Sequence, residues 1–177
     1  FTASRDTVAQ AVTRHHLERA FDGKVTVDPG LPDLVAERML AAAVGALSLA
    51  RKAGAVVVGF GKVEEAIAAK PVIALIHAAD AAPDGVDKLA AAARRRFGPA
   101  GVAVLRCFSG DQLDLAFGRS NVVHAALLAG PAGANVLARV QDLFRYRGDD
   151  GIPDSSFGPL FDALTDVNDP VRQNIRN

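Results

Sequence analysis

Four short apolar runs alternate with longer segments of helical periodicity, and this alternation limits the fold more than any other feature of the sequence. The runs cover residues 55–58, 72–77, 102–106 and 122–128. Strands that lack polar alternation are typical of a sheet that is covered on both faces. Helices that alternate with such strands therefore predict an α/β protein, built as a three-layer α/β/α sandwich.

The segments between these strands carry recognisable helix beginnings and ends. A long helix is predicted over residues 32–53, and Gly54 supplies its C-terminal stop. Ser109 and Gln112 have the spacing of a capping box, and Gly118 predicts a left-handed cap at the end of the same helix. The other predicted helices cover residues 62–69, 84–97 and 131–144.

Composition divides the chain into three parts. Residues 1–30 contain short helical pieces that break at Asp22 and Gly23, residues 31–147 hold the α/β pattern, and residues 148–177 have scattered Gly, Pro, Asp and Ser. The last part is predicted to be an acidic tail or linker. Because the chain starts on Phe rather than Met, we expect that an upstream part is missing.

Charge and cysteine content narrow the function classes. The 20 basic and 20 acidic residues cancel, but residues 148–177 hold six Asp and two Arg, which leaves a net charge of +4 on residues 1–147. A mildly basic body is compatible with RNA, and an ordinary soluble surface is the alternative. The single cysteine, Cys107, allows no internal disulfide and fits a cytoplasmic protein. No apolar run is long enough for a membrane helix, so we expect no membrane contact.

A glycine-rich bend follows the first predicted strand. Gly59, Phe60 and Gly61 open a helix, and Asp80 lies at the end of the next strand, which imitates a dinucleotide-binding fingerprint. Glu64 occupies the third glycine position, and the helix is short for a crossover that carries a dinucleotide. A nucleotide-binding enzyme is therefore the weaker alternative.

The same bend can serve as a platform for an RNA phosphate. It exposes backbone N–H groups at a helix start, with Lys62 beside them, although a flexible turn has the same pattern. A second candidate is the loop of Arg119, Ser120 and Asn121, whose Arg and Asn could read base edges, and a solvated loop is its alternative.

No set of catalytic residues is evident. His77 and His124 lie on predicted strands without a Ser or Cys nucleophile pattern, and no paired carboxylates are placed for acid–base work. We therefore expect no enzyme activity, no cofactor and no metal.

Three stretches carry a resemblance to a known family: GALSLARKAGAVVVGFGKVEEAI, VIALIHAAD and LDLAFGRSNVVHAALL. They resemble the kink-turn-binding ribosomal protein superfamily, which includes the large-subunit L-seven-Ae and L-thirty-e groups, over about residues 40–128. The resemblance implies an L-thirty-e-like sandwich that binds ribosomal or another structured noncoding RNA, with ribosome-associated proteins as possible further partners. The start, FTASRDTVAQAVTRHHLERAF, is similar to the end of a bacterial YlxR-like RNA-binding domain, which implies that residues 1–30 are its C-terminal remnant.

The resemblance implies an RNA-binding surface made of two bends and the end of the long helix. Its predicted residues are Arg51, Lys52, Gly59, Phe60, Gly61, Lys62, Glu65, Gly118, Arg119, Ser120 and Asn121. Kink-turn binders usually have Asn-Glu where Gly61 and Lys62 stand, and Lys where Glu65 stands. Lys62 can meet a phosphate or guanine acceptors but cannot accept a base amine, which favours RNA of another shape. The missing Asn-Glu pair and the zero net charge also leave open a protein-interaction or assembly scaffold that has lost RNA affinity.

Overall fold

The structure is a computed structural model that describes residues 3–99 and 102–148. Within these ranges, seven helices and one four-stranded sheet form a mixed α/β fold. The helices are α1 (Arg5–Thr13), α2 (His16–Ala20), α3 (Leu31–Lys52), α4 (Phe60–Ala69), α5 (Pro83–Phe97), α6 (Gly110–Phe117) and α7 (Pro131–Arg147). The strands are β1 (Val56–Val58), β2 (Val72–Ala78), β3 (Ala103–Phe108) and β4 (His124–Leu128).

The sheet order is β1-β4-β2-β3, which brings distant parts of the chain to one edge. Strand β4 is antiparallel to both β1 and β2, whereas β2 and β3 are parallel. The C-terminal ends of β1 and β2 therefore lie beside the N-terminal end of β4. Two contacts fix this edge: the Gly59 N–H donates to the His124 carbonyl oxygen at 2.9 Å, and His77 pairs with His124 in the β2–β4 register.

The apolar core consists of two clusters that share the sheet. One cluster packs α3, α6 and α7 against strand residues and includes Leu47, Phe117 and Val140. The other packs α4 and α5 and includes Ile67 and Leu89. Strand β2 contributes to both clusters, and all seven of its residues are buried. The predicted cover on both faces of this strand is therefore confirmed.

The predicted helix ends agree closely with the structure. The capping box of Ser109 and Gln112 is present, and Gly118 adopts the left-handed conformation at φ 56° and ψ 42°. Gly54 has φ 72° after the long helix. The fourth strand starts at His124, two residues later than predicted, because the N–H group of Val122 donates to a side chain instead of a neighbouring strand.

The first thirty residues include two short helices, and α1 packs against the long helix α3. The guanidinium group of Arg5 donates to Asp33 Oδ1 at 2.9 and 2.7 Å, which ties the start of α1 to the start of α3. Phe21, expected on an apolar face, is exposed to 57%. The predicted acidic tail lies outside the described residues except for Gly148. No helix among residues 3–99 and 102–148 is both long and apolar enough to cross a bilayer.

Candidate nucleic-acid interface

Two chain segments that lie about sixty residues apart line one open cavity at the His124 edge of the sheet. The cavity has a volume of about 370 Å³. Its lining residues come from the end of β1 and from the stretch that leads into β4: Val58, Gly59, Phe60, Arg119, Ser120, Asn121, Val122, Val123 and His124. Antiparallel pairing of β1 with β4 produces this meeting, because the end of one strand lies beside the start of the other.

The first wall of the cavity is the bend between β1 and α4. Gly59 has φ 101° and ψ 143°, a backbone conformation that residues other than glycine rarely adopt. The bend lets α4 begin at Phe60, two residues before the predicted start. The N–H groups in the first turn of a helix have no intrahelical acceptor, and no side chain caps this one. The first turn contains Lys62 and no acidic residue, so positive charge gathers at this helix start.

The second wall is the loop from Gly118 to the start of β4, and Asp114 holds it in place. The Asp114 carboxylate accepts the N–H of Asn121 at 2.9 Å and the N–H of Val122 at 2.7 Å. The backbone carbonyl oxygen of Asp114 accepts the N–H of Arg119. Asn121 adopts φ 58°, an uncommon conformation that this pair of bonds stabilises. The loop therefore has a defined shape, with Arg119, Ser120 and Asn121 exposed at its outer side.

The end of α3 approaches the same loop. A Cβ atom added to Gly118 would lie 3.3 Å from Arg51 Nη1, so the guanidinium group of Arg51 reaches the loop backbone. Within residues 3–99 and 102–148, none of Arg51, Lys52, Lys62 and Arg119 takes part in a salt bridge, and all four are exposed. Their charges are therefore available to an anionic ligand.

Two histidines form a hydrogen-bonded pair at the inner side of the cavity. His77 is fully buried, and its Nδ1 lies 2.8 Å from Nδ1 of the half-buried His124. The rings of His124 and Phe60 pack in a T-shaped arrangement with centroids 5.7 Å apart. Burial, with smaller contributions from the charges of His124 and Arg106, lowers the pKa of His77 to about 4. Burial also lowers the pKa of His124, so both rings are neutral near pH 7 and one donates its N–H to the other.

The chemical groups at this edge are hydrogen-bond donors and acceptors, a guanidinium group and an aromatic ring. Among the described residues there is no group of three or more His, Cys, Asp or Glu side chains that could hold a metal ion. Cys107 is largely buried, and this burial raises the pKa of its thiol to about 11, so it stays protonated. The cavity wall offers backbone N–H groups, an exposed aromatic ring, a hydroxyl, an amide and a guanidinium group.

The structure brings together five of the residues that the sequence predicted. Gly59, Phe60, Arg119, Ser120 and Asn121 line the cavity. Gly61, Lys62 and Glu65 lie on the exposed first turns of α4 without lining the cavity. Gly118 does not line it either, and Arg51 lies beside Gly118. Lys52 is exposed at the end of α3.

Sequence reasoning missed the roles of Asp114 and His124. An acidic side chain in the second half of a short helix interacts unfavourably with the helix dipole. Asp114 is predicted to lie in such a position, and this could have indicated that its carboxylate has another role. The contact between His77 and His124 depends on strand pairing across 47 residues, and local sequence gives no sign of it.

Comparison with known proteins supports the fold and leaves function open. No protein-family model matches the chain, and no curated protein matches it. A solved structure described as a protein with unknown function from Bacillus halodurans C is similar, with a TM-score of 0.50 and 19% sequence identity. The match covers 56% of this chain and 96% of that chain. At this identity the likeness supports a shared α/β fold for about half of the chain.

Proposed function

We propose that this protein binds structured RNA without catalysis, through the cavity between the Gly59 bend and the loop that contains Arg119. The RNA is ribosomal or another noncoding RNA. The observation that carries the proposal is the meeting of these two bends at one cavity, since the sequence predicts RNA contacts at both of them. The family resemblance implies RNA contacts on the same two segments.

Phosphate groups are the first ligand that this surface suits. The open N–H groups at the start of α4 and the charges of Lys62, Arg119 and Arg51 all favour an anion. Contacts of this kind supply most of the affinity of proteins for nucleic acid and orient the ligand. RNA specificity needs further contacts with bases or 2′-hydroxyl groups.

Unpaired bases are the second ligand that the surface suits. Phe60 is 37% exposed at the cavity, and an exposed aromatic ring is a stacking platform for a base. Arg119 and Asn121 can hydrogen-bond base edges, while Ser120 can bond a phosphate or a 2′-hydroxyl group. A single-stranded loop or bulge fits this combination better than a regular duplex does.

We further propose that the described fold is an L-thirty-e-like three-layer α/β/α sandwich. The two apolar clusters, which share β2 and α5 and are otherwise formed by different helices, support that arrangement. The first thirty residues belong in this proposal to a YlxR-like domain. The protein acts in the cytoplasm, where thiols stay reduced and a chain with one cysteine needs no internal disulfide.

The alternatives differ in their support. A protein-binding scaffold is favoured by two exposed leucines on adjacent helices, Leu49 at 62% and Leu115 at 78%.

The nucleotide-binding alternative is weakened by the sheet order. A dinucleotide-binding βαβ unit pairs its first two strands directly, whereas β4 lies between β1 and β2 here.

The salt dependence of RNA binding tests the proposal. We expect log Kd for structured RNA to change linearly with log salt concentration, and Lys62→Ala and Arg119→Ala each to reduce the slope by about one unit. Arg95→Ala, which removes an exposed cation from the last turn of α5, is the control and should leave the slope unchanged. Unchanged slopes in both test variants would reject this site, and absence of binding to total RNA would favour the scaffold.

A further inference from the structure

The imidazole ring of His124 is held at the cavity by contacts on three sides. Its Nδ1 lies 2.8 Å from Nδ1 of His77, and its plane makes an angle of 73° with the ring of Phe60. On the third side, a Cβ atom added to Gly85 would lie 2.8 Å from Nε2 of His124, so a side chain there would displace the ring. Glycine at position 85 therefore lets the start of α5 pack against a fixed imidazole.

No carboxylate among the described residues hydrogen-bonds to either histidine, although charged side chains surround them. The elements around the pair carry Arg51, Lys62, Glu64, Glu65, Asp80, Asp84, Lys88, Arg106, Asp114 and Arg119. Asp84 is paired with Lys88 at 2.7 Å, and Asp114 accepts backbone N–H groups of the loop. Of these charged residues, Arg119 alone lines the cavity. A positively charged His124 would therefore take its negative partner from a ligand.

The hydrogen bond between the two rings allows one further proton without breaking. A bond between two Nδ1 atoms holds one proton, so one neutral ring donates and the other accepts. A protonated His124 has N–H groups on both nitrogens and donates from Nδ1, while neutral His77 accepts on its own Nδ1. Protonation of both rings would leave two donors facing each other at 2.8 Å. The pair therefore takes up one proton and no more while the contact persists.

The further proton belongs on His124, because His77 has no access to solvent and burial lowers its pKa to about 4. Burial also lowers the pKa of His124. In the protonated pair, Nε2 of His77 carries a hydrogen that has no acceptor among the described residues. Both effects disfavour the charged form in the free protein. An anion in the cavity offsets them, because an opposite charge beside a histidine favours its protonated form.

We propose that His124 is a further RNA-contacting residue, and that it takes up one proton when a phosphate group of the RNA enters the cavity. His77 is its positioning residue, since its Nδ1 accepts the N–H of the imidazolium. The inference rests on the proposed RNA function and adds a regulation of the same site. Because RNA favours protonated His124, linkage requires that protons favour RNA binding, so the affinity rises as the pH falls.

The pH dependence of RNA binding tests this coupling. The full chain is titrated into end-labelled total RNA at constant salt concentration, and retention on a filter is measured between about pH 7.5 and pH 5.5. We expect the affinity to rise about fivefold over this range, which is the size of one added ion pair. His124→Gln has no titrating group and should lose this rise. His16→Gln removes an exposed histidine of α2 that does not line the cavity, and it should keep the rise.

The same pH profile tests the role of His77. His77→Leu removes the acceptor, so protonated His124 loses its hydrogen bond and the rise in affinity should move to lower pH by about one unit. His77→Gln supplies an amide oxygen as the acceptor and should restore the profile of the parent. A residue that only filled space would leave the profile unchanged in both variants.

Failure of this inference and failure of the proposed function give different results. Equal RNA affinity at all pH values, or an equal rise in the parent and in His124→Gln, would overturn the coupling and leave the RNA site in place. A profile unchanged by His77→Leu would overturn the positioning role of His77. If the parent retains no RNA at any pH, the proposed function is overturned, and the coupling with it.

Discussion

Single residues at the His124 edge explain why the cavity keeps its shape. His77 has no access to solvent, and its Nε2 has no hydrogen-bond partner among the described residues. An unpaired buried polar atom costs stability, and such a cost is tolerated where the group has a further use. Here the other ring nitrogen holds His124 in the orientation that meets Phe60.

The buried histidine predicts a loss of stability in acid. Its pKa is about 4 in the fold, lower than in an unfolded chain, because burial disfavours the charged ring. As the pH falls, this histidine therefore takes up a proton in the unfolded chain first, near pH 6.5. The free energy of unfolding that neutral His77 contributes then decreases as the pH falls from about 6.5 towards 4. We expect the free energy of unfolding, measured by urea denaturation, to fall by about 2 kcal/mol between about pH 7 and pH 4.5.

A variant with no titrating group at this position isolates the effect. His77→Gln keeps a polar side chain but does not protonate in this range, so its stability should depend less steeply on pH. Equal losses in parent and variant would show that carboxylates elsewhere, and not His77, control the acid sensitivity.

Short elements around the cavity depend on side-chain contacts that set where each one begins and ends. Asp114 in α6 is the main example, because its carboxylate accepts the N–H groups of Asn121 and Val122 just before β4 begins. Without it, the loop would lose the shape that presents Arg119 and Asn121 together.

Removal of this carboxylate should weaken RNA binding more than it weakens the fold. We expect Asp114→Ala to reduce affinity for structured RNA about tenfold, since two backbone donors lose their acceptor and the loop becomes less ordered. Asp87→Ala removes the same charge from an exposed position of α5 and controls for net charge. Titrations in which both variants bind equally tightly would show that the loop geometry is irrelevant to binding.

Helix α7 packs closely against the end of β4, and one glycine permits it. A Cβ atom on Gly133 would overlap the Leu128 carbonyl oxygen and lie 3.0 Å from Ile73 Cδ1. We expect Gly133→Ala to lower the free energy of unfolding by about 2 kcal/mol, through overpacking in the core.

The same substitution in an open helix site should act in the opposite direction. Gly45 lies in the middle of α3, and a Cβ atom there meets nothing within 4 Å. Gly45→Ala should therefore raise stability by about 0.5 to 1 kcal/mol, because alanine favours the helix. If both variants shift the urea midpoint in the same direction, the close approach at Gly133 is not the cause.

Most elements were predictable because their signals are local. The apolar runs gave the four strands to within two residues, and the capping box and Gly118 gave the bounds of α6. The strand order was not predictable, because pairing of β4 with both β1 and β2 depends on contacts between distant segments. The same limit applies to the site: its two bends were found from local motifs, but Asp114 and His124 gain their roles only once the chain is folded.

At the scale of the whole molecule, charge is separated along the chain. The body carries a net charge of +4, and the segment after residue 147 carries −4. An acidic segment next to a basic ligand surface competes with nucleic acid unless it is held elsewhere.

Ultraviolet crosslinking in cells tests the central claim most directly. The crosslinked RNA is sequenced, and the modified peptides of the full chain are identified by mass spectrometry. The proposal predicts enrichment of one structured noncoding RNA, with crosslinks at Phe60 and at residues 118–124. Recovery of no RNA, or crosslinks confined to other surfaces such as the end of α5, would contradict it.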